Sequence, residues 1–115
     1  MLPHSIPNAG VRISTGGASM TYTGDAGPSD DLVELADATD LLLAEATYAE
    51  SVPSGNAGVL NCALEVGRQA RRARAAGLML THLLPGTDLE TSQAAAARSF
   101  DGPISVATPG LVEEL

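Results

Sequence analysis

Leu78-Met79-Leu80-Thr81-His82 is a short apolar strand with a histidine at its carboxyl end. Met20-Thr21-Tyr22-Thr23-Gly24-Asp25 repeats the arrangement with an aspartate just past the strand. Between them, Leu41 to Ala44 is a continuous apolar run, the pattern of a strand covered on both faces. In an open α/β sheet, side chains just beyond the carboxyl ends of neighbouring strands converge on one rim, where ligands bind. A carboxylate and an imidazole meeting there form an ordinary pair of zinc or manganese ligands. Spacing alone is a weak signal, because Asp after Gly is also a common turn residue and a lone His after a strand is commonly a surface group.

Working outward, Val11 to Ser14 and Ser19 to Thr23 read as β-prone runs joined by Thr15-Gly16-Gly17-Ala18, a hairpin turn. Ser29 is placed to cap a helix whose first turn holds Asp30 and Asp31 and whose apolar stripe is Leu32, Val33, Leu35 and Ala36. Ser51 to Gly58 reads as a loop, followed by a long helix from about Asn61 to Ala76 closed by Gly77. After His82, Pro85-Gly86 turns the chain, and Thr87 or Asp88 caps a further helix running through Ala94 to Phe100. Gly102-Pro103 then leads into a last strand, Ile104 to Ala107. A hairpin followed by alternating helices and strands, with no linker, predicts one α/β domain over residues 1–115.

Hydrophobic residues make up 44% of the chain and aromatics 3%, with no Trp, so the core is expected to be built from Ala, Val and Leu. The net charge is −8 and Lys is absent, which argues against strong nucleic-acid binding. Arg68, Arg71, Arg72 and Arg74 cluster on one short stretch, and Arg68, Arg71 and Arg72 share a helix side. A solvated helix face is the expected reading, and a patch for an anionic partner the sharper one. One cysteine, Cys62, cannot form an intramolecular disulfide and reads as a small buried hydrophobe. Nothing resembles a signal peptide or membrane span, so a cytoplasmic location is expected.

The local sequences carry a resemblance. His4-Ser-Ile-Pro-Asn-Ala-Gly-Val-Arg-Ile13, Tyr22-Thr23-Gly24-Asp25, Asp40-Leu41-Leu42-Leu43-Ala44-Glu45-Ala46 and Leu80-Thr81-His82-Leu83 follow one another as in metallo-β-lactamase-fold metal hydrolases. The segment Ser99-Phe100-Asp101-Gly102-Pro103 resembles that family's ending. The resemblance implies the C-terminal half of an αββα sandwich, nearest the ribonuclease Z and cyclic-nucleotide phosphodiesterase branches. It further implies His4 as a ligand of one metal, Asp25 as the bridge between two, and His82 as a ligand of the second. Glu45 falls in the Glu-Ala-Ser/Thr position, where it would orient a ligand.

Three departures qualify what the resemblance implies. The His-x-His-x-Asp-His cluster is absent, and with two histidines in the chain no substitute can be assembled. Leu60-Asn61-Cys62 stands where the family often has His-Leu-Ser/Thr, so leucine replaces an imidazole that helps in proton transfer. Half of the fold also leaves a sheet face or edge that the other half would cover. The expectation is a hydrolase-lineage chain with weak or absent zinc or manganese binding and no activity alone. It would act with a partner supplying the missing N-terminal half. The alternative is a non-catalytic, homo-oligomerising protein that keeps the fold.

Overall fold

The computed structural model describes residues 10–24, 29–56 and 60–108. β1 (Val11–Thr15) and β2 (Ala18–Tyr22) form the expected antiparallel hairpin, with Val11 opposite Tyr22 and Thr15 opposite Ala18. Gly16 and Gly17 both take positive φ, the pairing that lets a two-residue turn match the twist of its strands. β3 (Leu41–Glu45), β4 (Leu78–Thr81) and β5 (Ile104–Val106) follow, each parallel to the strand before it, in the order β1-β2-β3-β4-β5.

The three crossovers carry α1 (Asp30–Leu35), α2 (Ala63–Ala73) and α3 (Leu89–Ala97). Strands added in one direction through right-handed crossovers place their helices on one face. Accordingly α1 packs on α2, and α2 on α3. Ser29 caps α1 as anticipated, its hydroxyl accepting from the Asp31 amide. Of the two candidates before α3, Asp88 is the cap, accepting from the Glu90 amide at 3.1 Å.

Two helices are shorter than the sequence suggests. α2 begins at Ala63 because Asn61 and Cys62 are drawn alongside Tyr48: Tyr48 N donates to Asn61 O and Ala63 N to Tyr48 O. It ends at Ala73, four residues before Gly77, because Arg74 takes the left-handed conformation (φ 58°) and the Ala75 amide returns to Ala70 O at 3.0 Å. Gly77 instead accepts from the Leu42 amide as the chain enters β4. α3 stops at Ala97, and the Phe100 amide bonds back to Ala96 O.

The core lies between the sheet and the helix layer. Leu42, Ala44, Leu78 and Leu80 meet Val66, Ala70 and Ala73 of α2 and Ala95 and Ala96 of α3, with Phe100 closing one end. Small side chains let α2 and α3 approach closely. At Gly67 an added methyl would collide with Ser99 Oγ and lie 2.6 Å from Ala96 O. The face turned away from the helices carries in-register apolar rows, Val11-Tyr22-Leu43-Met79 and Ile13-Met20-Leu41. At its β1 end Val11 and Ile13 are 50% and 55% exposed.

Gly67→Ala therefore sets a modest gain in helix propensity against overpacking onto a backbone carbonyl. The expected result is a loss of about 1–3 kcal/mol, read from urea unfolding of the two proteins.

Candidate metal centre at the carboxyl rim of the sheet

The parallel ladder brings the ends of β2, β3 and β4 to one rim. β2 leads to Thr23 and Gly24, β3 ends in Glu45, and β4 leads to His82. The Ala46 amide donates to Thr81 O at 2.9 Å and the Leu84 amide to Thr47 O at 3.0 Å, so the segments leaving β3 and β4 run side by side.

Those bonds bring Glu45, Thr47 and His82 together. Glu45 Oε2 accepts from the Thr47 amide at 2.9 Å and from the Thr47 hydroxyl at 2.8 Å. Thr47 Oγ1 lies 3.1 Å from His82 Nδ1. With Glu45 ionised, the single hydroxyl proton of Thr47 points to the carboxylate, so toward His82 that oxygen can only accept. Nδ1 is then the protonated nitrogen, and in the neutral ring the lone pair sits on Nε2. His82 is exposed and holds a left-handed backbone (φ 58°), a costly conformation for a non-glycine residue and one that clusters at functional sites.

Glu45 is fully buried at 0% exposure, and among the described residues its Oε1 has no hydrogen-bond partner. Burial raises its carboxyl pKa above the ordinary value of 4.5. The hydroxyl and amide bonds from Thr47, the nearby Asn61 amide and the charge of His82 oppose the shift without cancelling it.

His4 and Asp25 lie outside the described residues. Among the described residues, no three His, Cys, Asp or Glu side chains are grouped to hold a metal. What the rim does show fits one ligand position: an imidazole, oriented through Nδ1 by a hydroxyl that a carboxylate holds in turn. Thr47 escaped the sequence reading, although it is the third residue of the Glu-Ala-Thr run at 45–47. Leu60 precedes the bridge that seats α2, and the described residues offer no second histidine near Thr47. Cys62 is buried, its thiol donates to Glu50 O at 3.5 Å, and burial pushes its pKa up, all of which makes it a poor nucleophile or ligand. The arginine face of α2 is largely spoken for: Arg68 pairs with Glu65, Arg72 with Asp30, and Arg74 with Asp37. These exposed ion pairs are those of a solvated helix face. No described helix is long and apolar enough to cross a membrane.

Comparison with solved structures matches this architecture to the metallo-β-lactamase fold protein YhfI of Bacillus subtilis. The TM-score is 0.88 at 29% identity, over 96% of this chain and 45% of that one. In sequence the chain is 31% identical over 111 residues to the same protein, a probable metallo-hydrolase. It is 37% identical over 111 residues to an uncharacterized protein of Mycobacterium leprae, covering 96% of this chain and 39% of that one. A ribonuclease Z of Halobacterium salinarum is 36% identical over 101 residues, 86% of this chain and 33% of its own length. No family model matches. The chain thus spans less than half the length of the relatives it matches. The fold is that of a metallo-β-lactamase-type protein, and the chain corresponds to its C-terminal half.

The raised Glu45 pKa has a definite sign in stability. The folded carboxyl keeps its proton at pH values where the unfolded one has released it. Its contribution is therefore full below about pH 4.5 and is lost as pH rises through the folded value. Subtracting the stability of Glu45→Gln from that of the wild type at each pH, by urea unfolding, is expected to give a difference that falls across this window. A flat difference would contradict the burial effect.

Proposed function

We propose that this chain supplies the C-terminal share of a metal-dependent hydrolase site of the phosphodiesterase type. The observation that carries the reading is the Glu45–Thr47–His82 assembly, in which Thr47 meets His82 at Nδ1 on the rim where β2 and β3 also end; in this reading Nε2 is the coordinating nitrogen. His4, Asp25 and His82 are the proposed ligands, a nitrogen and oxygen set that suits zinc or manganese. The probable metallo-hydrolase and ribonuclease Z relatives support both the metal and a phosphodiester substrate. Such metal ions, when bound, lower the pKa of a water and neutralise charge that develops on phosphate. The chain's own residues orient the ligand: Thr47 fixes the ring, and buried Glu45 fixes Thr47.

These 115 residues contain no His-x-His-x-Asp-His cluster, and Leu60 cannot transfer a proton. Alone, they bind metal weakly and do not turn over. The partner we propose is a second half-fold bearing that cluster, seated on the apolar sheet face that carries Val11, Ile13 and Tyr22. The same exposed row supports a second reading, in which two copies associate through this face without catalysis.

Titration with Mn²⁺ or Zn²⁺ followed by native mass spectrometry tests the site. His82→Ala is expected to abolish the metal-bound species, and Thr47→Val to weaken binding about 10–100-fold while Thr47→Ser keeps it. Metal retained by His82→Ala would remove His82 from the site. Incubating the metal-supplied chain with bis(p-nitrophenyl) phosphate tests the rest: hydrolysis that His82→Ala abolishes would show that the chain is active by itself.

A further inference from the structure

We propose that Asn61, held by Gln69, is a positioning residue for His82, acting through the Thr47–Tyr48 peptide. The inference rests on the metal-site reading above and deepens it. Asn61 stands just before α2 and is 1% exposed, and Gln69, eight residues on within that helix, is 2% exposed. Both ends of the Asn61 side-chain amide are used. Its Nδ2 donates to Gln69 Oε1 at 2.9 Å, and its Oδ1 accepts from the Cys62 amide at 2.9 Å. The side chain thus ties its own main chain to the body of the helix.

That main chain carries Thr47 in turn. Asn61 O accepts from the Tyr48 amide at 3.4 Å, and Tyr48 O accepts from the Ala63 amide at 2.8 Å. The Tyr48 amide and the Thr47 carbonyl belong to one planar peptide unit. Its other edge is held as well, because Thr47 O accepts from the amide of Leu84, two residues past His82, at 3.0 Å. One peptide plane therefore spans from Asn61 to the segment that bears His82. Upstream, the Glu45 amide is anchored on Thr23 Oγ1 at 3.2 Å, so the 45–48 segment is pinned at both ends. So fixed, Thr47 holds its hydroxyl between Glu45 Oε2 at 2.8 Å and His82 Nδ1 at 3.1 Å. The chemistry of the amide pair argues for placement over stability. The core that α2 enters is built mainly of Ala, Val and Leu, and two bonded polar groups replaced together by apolar ones of like shape cost little. Gln69 Nε2 has no partner among the described residues, a further cost that an apolar pair would not carry. Asn61 would touch neither metal nor substrate.

The test replaces both amides at once, in Asn61→Leu/Gln69→Leu. Variant and wild type are compared without metal by amide hydrogen exchange and by ¹H–¹⁵N correlation of the His82 ring, at a pH above the ring's titration. Zn²⁺ affinity is then measured by calorimetry. The Tyr48 amide is expected to exchange at least about tenfold faster, while Leu42 and Leu78 in the core strands keep their rates. The His82 Nδ1 resonance is expected to move toward that of a ring shared between its two tautomers, and Zn²⁺ affinity to fall about 10–100-fold. Equal acceleration at Leu42 and Leu78 would mean that the pair serves only global stability, and that overturns the proposal. So does a Tyr48 amide that exchanges no faster, an Nδ1 resonance that stays in place, or an unchanged Zn²⁺ affinity. Should the double variant not fold, Gln69→Ala, which releases the Asn61 side chain and leaves residue 61 itself intact, is read by the same criteria. A wild-type chain that takes up no Zn²⁺ would instead sink the metal-site reading. The metal-free data would then still decide Asn61: a moved Nδ1 resonance with local acceleration at Tyr48 keeps its hold on His82, and anything else removes it.

Discussion

The parallel register of β2, β3 and β4 is the constraint on which the rest depends. Met20 lies opposite Leu41, Leu42 opposite Leu78, and Glu45 opposite Thr81. Side chains alternate along a strand, so a slip of one residue in β3 would turn Leu42 and Ala44 out of the core and Glu45 into the helix layer. The burial of Leu42 and Ala44 among α2 and α3 therefore fixes the position of Glu45, although Glu45 contributes nothing to that core. Site geometry is here a consequence of apolar packing on the opposite face of the sheet.

A second consequence concerns polar groups at the rim. Burying a carboxylate disfavours its charged form, and Glu45 carries that cost with Oε1 unbonded among the described residues. Thr23 and Thr47 reduce the cost of ordering the rim by bonding main-chain and side-chain groups at once. Short hydroxyl side chains suit this place because they supply a donor and an acceptor while filling little volume.

Much of this architecture was legible in the sequence because it rests on local chemistry. Gly16-Gly17 specifies a tight hairpin, Ser29 and Asp88 are helix caps, and the apolar run at 41–44 is a buried strand. What escaped depends on contacts distant in sequence. Thr23 and Glu45 are 22 residues apart, and Thr47 and His82 are 35 apart, so neither bond exists until the register is set. The end of α2 was misplaced for a different reason: Gly77 is the conventional stop, yet Arg74 accepts the left-handed conformation and the chain turns there. The ligand assignment of His4 came from resemblance alone and that of Asp25 from its place past a strand together with the resemblance, and both lie outside the described residues.

In the proposed site, Thr47, held by Glu45, engages His82 through Nδ1 and leaves Nε2 for a metal. Long-range ¹H–¹⁵N correlation of the His82 ring, recorded near neutral pH with and without Zn²⁺, tests it most directly. In its neutral form the ring is expected to carry its proton on Nδ1, and the Nε2 resonance alone to move strongly when Zn²⁺ is added. A ring protonated on Nε2, or one whose two nitrogens ignore Zn²⁺, would contradict it.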